Sequence, residues 1–196
     1  MTYADRRLGF LLAGIVALTV VGLAGIVWLR ADDPSVPGLD PALGLPSAET
    51  PAPGDPDRVQ LDGFEEVAIW VEHGDGRATM ASCLLAALTG EQRGRGLMEV
   101  TDLQGYSGMV FIYDTDVAGG YYMRNTPTPL SIAWIAADGE VVTITDMAPC
   151  EDREGCPTYS PSGAYRYAIE TFQGDLADLG ITEGASVTVG GSCAPT

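Results

Sequence analysis

No lysine occurs anywhere in this 196-residue chain, and histidine occurs once. All ten basic side chains are arginine, against 27 aspartates and glutamates, which leaves a formal net charge of −17 and a pI near 4.1. So little positive charge disfavours a nucleic-acid-binding surface, because no cluster of cations is present to neutralise several phosphates. The acid excess itself is the ordinary means of keeping a protein soluble by like charge. The single histidine, His73, lies in the turn-like run EHGDGR, and the four cysteines form no C-x-x-C pair, so a zinc site has few ligands to draw on.

Charge of either sign is missing between Leu8 and Leu29, LGFLLAGIVALTVVGLAGIVWL. At about 1.5 Å per residue a helix of that length spans about 33 Å, the thickness of a bilayer core. Trp28, Leu29 and Arg30 stand where small residues would precede a signal-peptidase cut, so the segment reads as an uncleaved anchor; secretion after cleavage is the alternative. Arg6 and Arg7 precede it and only Arg30 follows, which places residues 1–7 in the cytoplasm. The expectation is a single-pass protein of the cytoplasmic membrane whose remaining chain lies outside the cytoplasm. Residues 30–58, crowded with proline, alanine and acids and without periodicity, read as a semi-extended or disordered linker.

In an oxidising compartment Cys83, Cys150, Cys156 and Cys193 are expected to form two disulfides. Three pairings are possible. The short polar loop EDREG between Cys150 and Cys156 favours joining those two, which leaves Cys83 with Cys193.

Residues 59–190 hold one domain's worth of sequence, followed by a tail at 191–196. Val67–Val71, Met109–Tyr113, Leu130–Ala136, Val141–Thr145, Tyr167–Thr171 and Ala185–Val189 are runs of strand type, and Asp138 with Gly139 makes a hairpin turn. ATMASCLLAAL suits a helix by composition and a strand by its place between turns. Thr89 with Gln92 resembles a capping box that opens one short helix, and Asp175 can cap another ending near Gly180. The fold expected is mainly β, a compact sandwich or barrel-like domain with two short helices.

The stretch GGYYMRNTPTPLSIAWI sets polar residues against two spaced prolines. Pro127 and Pro129 push Thr126 and Thr128 into extended conformation and donate no ladder bond, so the segment belongs at an edge or crossover. Alternation then puts Tyr122, Arg124 and Thr126 on one face and Tyr121, Met123 and Asn125 on the other.

GLM at Gly96–Met98, GMVF at Gly108–Phe111, YYMRNTPTPLSIAWI at Tyr121–Ile135, DG at Asp138–Gly139, MAPC at Met147–Cys150, CPTY at Cys156–Tyr159 and AIETFQG at Ala168–Gly174 occur in one order. That ordered set, over about residues 83–190, resembles the prokaryotic family called domain of unknown function 192 (DUF-192). The resemblance implies a mostly β, sandwich-like fold and no established biochemical activity. Ser131 departs from the family's usual aspartate, and Ala185 with Ser186 stand where an acid is usual. Tyr122 for tryptophan and Arg124 for lysine keep aromatic and cationic character.

Three functional expectations follow. A binding or accessory module of the cell envelope would use Arg124, Asn125 and Thr126 as donors and Tyr121 or Tyr122 as a stacking surface, for an anionic or sugar-like ligand or a protein partner. Its structural alternative has Asn125 and Thr126 satisfying backbone groups and Arg124 pairing with an acid such as Glu170. A Cu(I) site could draw on the thioethers of Met98, Met109, Met123 and Met147, although methionine more commonly fills cores, and no cofactor is expected. A hydrolase would need groups such as Glu170, Asp138 or Tyr159 with Arg124, but no spacing selects a pair and no reaction is assignable. DTDVAGG, at 114–120, lacks the later ligands of a calcium loop.

Overall fold

The computed structural model describes residues 57–72 and 80–193 of the chain. The apolar run 8–29, the linker up to residue 56, the turn at His73 and residues 194–196 lie outside them. Among the described residues no helix is long and apolar enough to cross a membrane.

The elements follow in chain order: β1 Glu65–Glu72, β2 Met80–Ala87, α1 Gly90–Arg95, β3 Met109–Val117, β4 Tyr121–Tyr122, β5 Leu130–Ile135, β6 Val141–Met147, β7 Thr158–Tyr159, β8 Tyr165–Phe172, α2 Asp175–Asp178 and β9 Ser186–Val189. Seven strands make one sheet in the order β6-β5-β8-β3-β2-β1-β9, and β4 pairs with β7 as a separate ribbon. Only β2 and β3 run parallel in that sheet.

The sheet curls until its outer strands meet. Val187 N donates to Gly139 O at 2.8 Å and Val141 N to Ala185 O at 3.4 Å, with a bridge between Glu140 and Ser186. Of the two expected forms, sandwich or barrel-like, the mainly β domain with its two short helices takes the second: one curled sheet, a half-barrel. The reason is visible in β5, LSIAWI, which is buried at every position. A strand buried on both faces belongs inside a single sheet covered on both sides.

Two core clusters lie on the two faces. One gathers Leu85, Met109, Phe111, Ile132, Trp134 and Ala168; the other gathers Ile69, Leu84, Val110, Ala133, Ile169 and Val187. The ambiguous ATMASCLLAAL becomes β2 because its side chains alternate between these clusters, Cys83, Leu85 and Ala87 to the first and Leu84 and Ala86 to the second. Tertiary burial overrides the helical preference of alanine and leucine.

Local chemistry sets the ends of elements. Gln92 Oε1 accepts from Leu88 N and Thr89 N, each at 2.8 Å, and Thr89 Oγ1 accepts from Gln92 N at 3.1 Å, which completes the capping box of α1. At α2, Asp175 is the first helical residue rather than the cap; Gly174 occupies the cap position at φ +99°, a conformation an aspartate adopts less readily. In the β5–β6 hairpin Gly139 has φ +94°, and a Cβ there would stand 2.8 Å from Val187 O, so a side chain would obstruct the meeting of the sheet's ends.

Cys83 of β2 is joined to Cys193, beyond β9, and Cys150 to Cys156. The residues flanking the expected domain limits are packed into it. Arg58 is buried, reaches Glu66 with its Nε at 3.2 Å and lies 5.3 Å over the Tyr106 ring. Cys193 is buried as well.

Candidate functional site

Between α1, the ribbon strand β4 and the sheet strands β3 and β8 lies a cavity of about 130 Å³. Its place is dictated by short segments that sequence chemistry fixes well. The capping box holds α1, whose last turn carries Arg93 and Arg95 to the cavity rim. Arg93 Nη1 donates to the carbonyls of Leu88 and Ile112, and its guanidinium lies 4.6 Å over the Tyr113 ring. Arg95 Nη1 donates to Asp62 O at 3.1 Å, with its guanidinium 4.9 Å over Phe64. Among the described residues neither arginine pairs with a carboxylate.

The opposite wall is β4. Gly120 lets it approach β7, since a Cβ there would meet Thr158 Cγ2 and Tyr159 O, each at 2.7 Å. Tyr121 turns inward, edge-on to Phe111 at 5.0 Å and to Trp134 at 6.1 Å, and its hydroxyl meets that of Tyr113 at 2.9 Å. Tyr122 stays on the rim, 49% exposed.

Glu170, in the middle of β8, is 5% exposed and lines this cavity. It is the one carboxyl among the described lining residues, and no described group hydrogen-bonds it. Burial alone pushes its pKa up to about 8, so the carboxyl is largely neutral at pH 7 and has an O–H to offer. The hydroxyls of Tyr121 and Tyr165 are likewise held protonated far above the ordinary tyrosine range, first by burial and then by their neighbours. The cavity lining thus joins a neutral carboxyl and the protonated Tyr121 hydroxyl to two arginine residues, Arg93 and Arg95. Trp134 Nε1, packed against Tyr121, has no acceptor.

The structure brings Tyr121, Tyr122, Thr126 and Glu170 to this one cavity and leaves Arg124 and Asn125 outside it. Arg124 pairs with Asp152 at 2.7 Å, not with Glu170. Alternation holds from Tyr121 to Arg124 and then breaks, because Asn125 has φ +58° and Thr126 N closes a turn onto Met123 O at 3.0 Å. Thr126 therefore points inward with Tyr121 and Met123 rather than outward with Arg124. Asparagine tolerates that left-handed conformation. Asn125 Nδ2 then donates to Glu99 Oε1 at 2.9 Å and its carbonyl accepts from Glu99 N, tying this turn to the segment after α1.

Other expected groups have structural partners. Asp138 Oδ1 accepts from Glu140 N inside the hairpin turn, roughly 15 Å of strand away from the level of Ile132, which faces Glu170 across the sheet. Tyr159 Oη accepts from Ala148 N at 3.0 Å, and Asp116 of the DTDVAGG segment pairs with Arg166 at 2.8 Å. Met109, Met123 and Met147 are buried in the first core cluster, and Met98 is half-buried at the cavity rim. Among the described residues, Glu66, Cys83 and Cys193 are close enough to share a metal, but both sulfurs are spent in a disulfide. Where Ser131 replaces the family's usual aspartate, its Oγ donates to Asp146 on the neighbouring strand at 2.6 Å, so a carboxylate reaches the same place from β6.

Arg93 and Arg95 were absent from the sequence-based site. The available signal was two of ten arginines in the last turn of a capped helix, but nothing local placed that helix beside β8.

The protein-family model DUF192, described as Uncharacterized ACR, matches residues 71–189. No curated protein is significantly similar to the chain. Among the solved structures that are similar, two are crystal structures of bacterial proteins. One is a proposed transcription regulator from Sinorhizobium meliloti, 24% identical, with a TM-score of 0.56 over 66% of this chain and 98% of its own. The other is a protein of unknown function from Novosphingobium aromaticivorans, 26% identical, with a TM-score of 0.56 over 72% of this chain and 95% of its own. The first of these likenesses is one of fold alone.

Proposed function

This chain belongs to the DUF192 family, and on that premise we propose that its domain is a binding module of the cell envelope that takes a small ligand into the cavity above Glu170. The carrying observation is Glu170 itself: a carboxyl on a buried residue in the middle of β8 that opens on the cavity and that no described group hydrogen-bonds. A buried polar group left unpaired costs free energy, and a site is retained at that cost when a ligand supplies the missing partner. The cavity volume is less than half the roughly 300 Å³ at which pockets for drug-sized ligands begin, so the ligand is small.

The module is tethered outside the cytoplasm. Supporting this are the uncharged run 8–29, the two arginines before it and the one after, and two disulfides of the kind an oxidising compartment maintains. The −17 charge disfavours nucleic acid as the partner.

Native mass spectrometry of the whole chain, isolated from its own host in non-ionic detergent and released from the micelle, tests the reading. The expected result is a mass excess that disappears on denaturation and is missing from Glu170→Leu, which keeps volume but removes the polar floor. A native mass equal to the denatured one, or an excess that survives Glu170→Leu, overturns it.

A further inference from the structure

We infer that the cavity's ligand is a small organic carboxylate bearing an oxygen acceptor at its other end, such as a keto acid, held by Arg93 and Arg95 at the rim and by Glu170 at the floor. This rests on the cavity being a binding site and names what it binds.

Three observations converge on that chemistry. The first is charge. In a chain with 27 acidic residues against ten arginines, two arginines line one cavity, and neither pairs with a described carboxylate. Arg93 is held by two carbonyls and by the face of Tyr113, itself a lining residue, and Arg95 by the carbonyl of Asp62 and the face of Phe64 beside the cavity, which fixes each planar fork without neutralising it. A fork of that kind matches a carboxylate.

The second is the floor. A neutral Glu170 carboxyl offers one O–H and needs an acceptor within the cavity. An uncharged oxygen supplies it, whereas a second anion buried there would lack a cation, since both arginines sit at the rim. The groups around Glu170 leave it that role. From β3 and β5 its neighbours Met109, Phe111 and Ile132 are apolar. From β4 and β8 the hydroxyls of Tyr121 and Tyr165 stay protonated, and the Tyr121 hydroxyl is shared with Tyr113.

The third is the wall between rim and floor. Leu97, Phe111 and Tyr121 line the cavity as well and give a short carbon chain apolar surface to lie against. A bare inorganic oxyanion would leave that surface unmatched and would lose its own hydration.

Titration calorimetry on the full chain in a non-ionic detergent tests this with 4-oxopentanoate, pentanoate, inorganic phosphate and pentan-2-one, which keeps the carbonyl and lacks the carboxylate. The expected order has 4-oxopentanoate binding at one site, about tenfold tighter than pentanoate, which lacks the acceptor. Arg95→Gln weakens it about tenfold by removing one charge-assisted contact. Affinity for wild type falls about tenfold per pH unit above about pH 8, where Glu170 loses its proton. Glu170→Gln keeps an N–H donor, so it retains binding and loses that pH dependence. Equal affinity for pentanoate, equal or tighter binding of phosphate or of pentan-2-one, or indifference to both Arg95→Gln and Arg93→Gln overturns the inference. If none of the probes binds while the host-isolated protein carries a Glu170-dependent mass excess, the binding site stands and this ligand class falls. If that excess is missing too, both fall.

Discussion

Glu170 makes folding depend on pH, because its carboxyl is buried in the middle of β8 without a donor. Its pKa rises from 4.5 to about 8 on folding. Below pH 4.5 the group is protonated in both states and adds no pH dependence. Between there and about pH 8 the unfolded chain releases a proton that the folded one retains, so stability falls by about 1.4 kcal/mol per pH unit and then levels off. Urea unfolding at pH 5 and pH 8 should therefore show Glu170→Gln gaining on the wild type at the higher pH and scarcely at the lower; an equal difference at both would contradict the burial argument. Arg124, by contrast, is 47% exposed and its partner Asp152 70% exposed. Removing an ion pair so open to water costs less than about 1 kcal/mol, so Arg124→Ala should unfold within that margin of the wild type. A larger loss would mean that Arg124 supports something besides Asp152. The polar run Arg124–Thr126 thus divides its work: Arg124 and Asn125 brace loops, and Thr126 alone of the three reaches the cavity.

Elements with strong local signals were readable before any packing was known. The Asp138–Gly139 turn and the Thr89–Gln92 capping box depend on residues a few positions apart, and both formed as expected. What stayed hidden depends on distant chain. The burial of β2 on both faces, the two-residue strands β4 and β7, and the parallel pairing of β2 with β3 arise only when the sheet assembles. The candidate site divides along the same line. Tyr121, Tyr122, Thr126 and Glu170 sit in recognisable motifs, while Arg93 and Arg95 join them only because α1 packs beside β3 and β4. The ribbon is the most exposed of these dependencies. Gly120→Ala would drive a methyl group into Tyr159 O and Thr158 Cγ2, both 2.7 Å from its position. Such overpacking costs about 1–3 kcal/mol and would part β4 from β7, moving Tyr121 off the cavity wall. Thermal unfolding together with near-UV circular dichroism checks this, and an unchanged tyrosine signal would show that the ribbon can yield without disturbing the site.

At the scale of the molecule, the two disulfides do unequal work. Cys83–Cys193 spans 110 residues and Cys150–Cys156 spans 6. If constraint of the unfolded chain dominates, replacing both cysteines of the long bridge by alanine costs about 4–5 kcal/mol and of the short one about 2 kcal/mol. Urea midpoints of the two double variants measure the difference, and equal losses would place the stabilisation in the folded state instead. The long bridge fastens the region just past β9, and β9 itself bonds β1 on one side and meets β6 at Gly139 on the other. This gives assembly a direction in time. A chain emerging in order, from a ribosome or through an export channel, can align β1 to β8 early but holds two raw sheet edges until residues 186–189 arrive. The fold thus cannot be completed gradually along its length: it closes with its final strand, and the interval before closure is when a neighbouring copy can compete for the open edges.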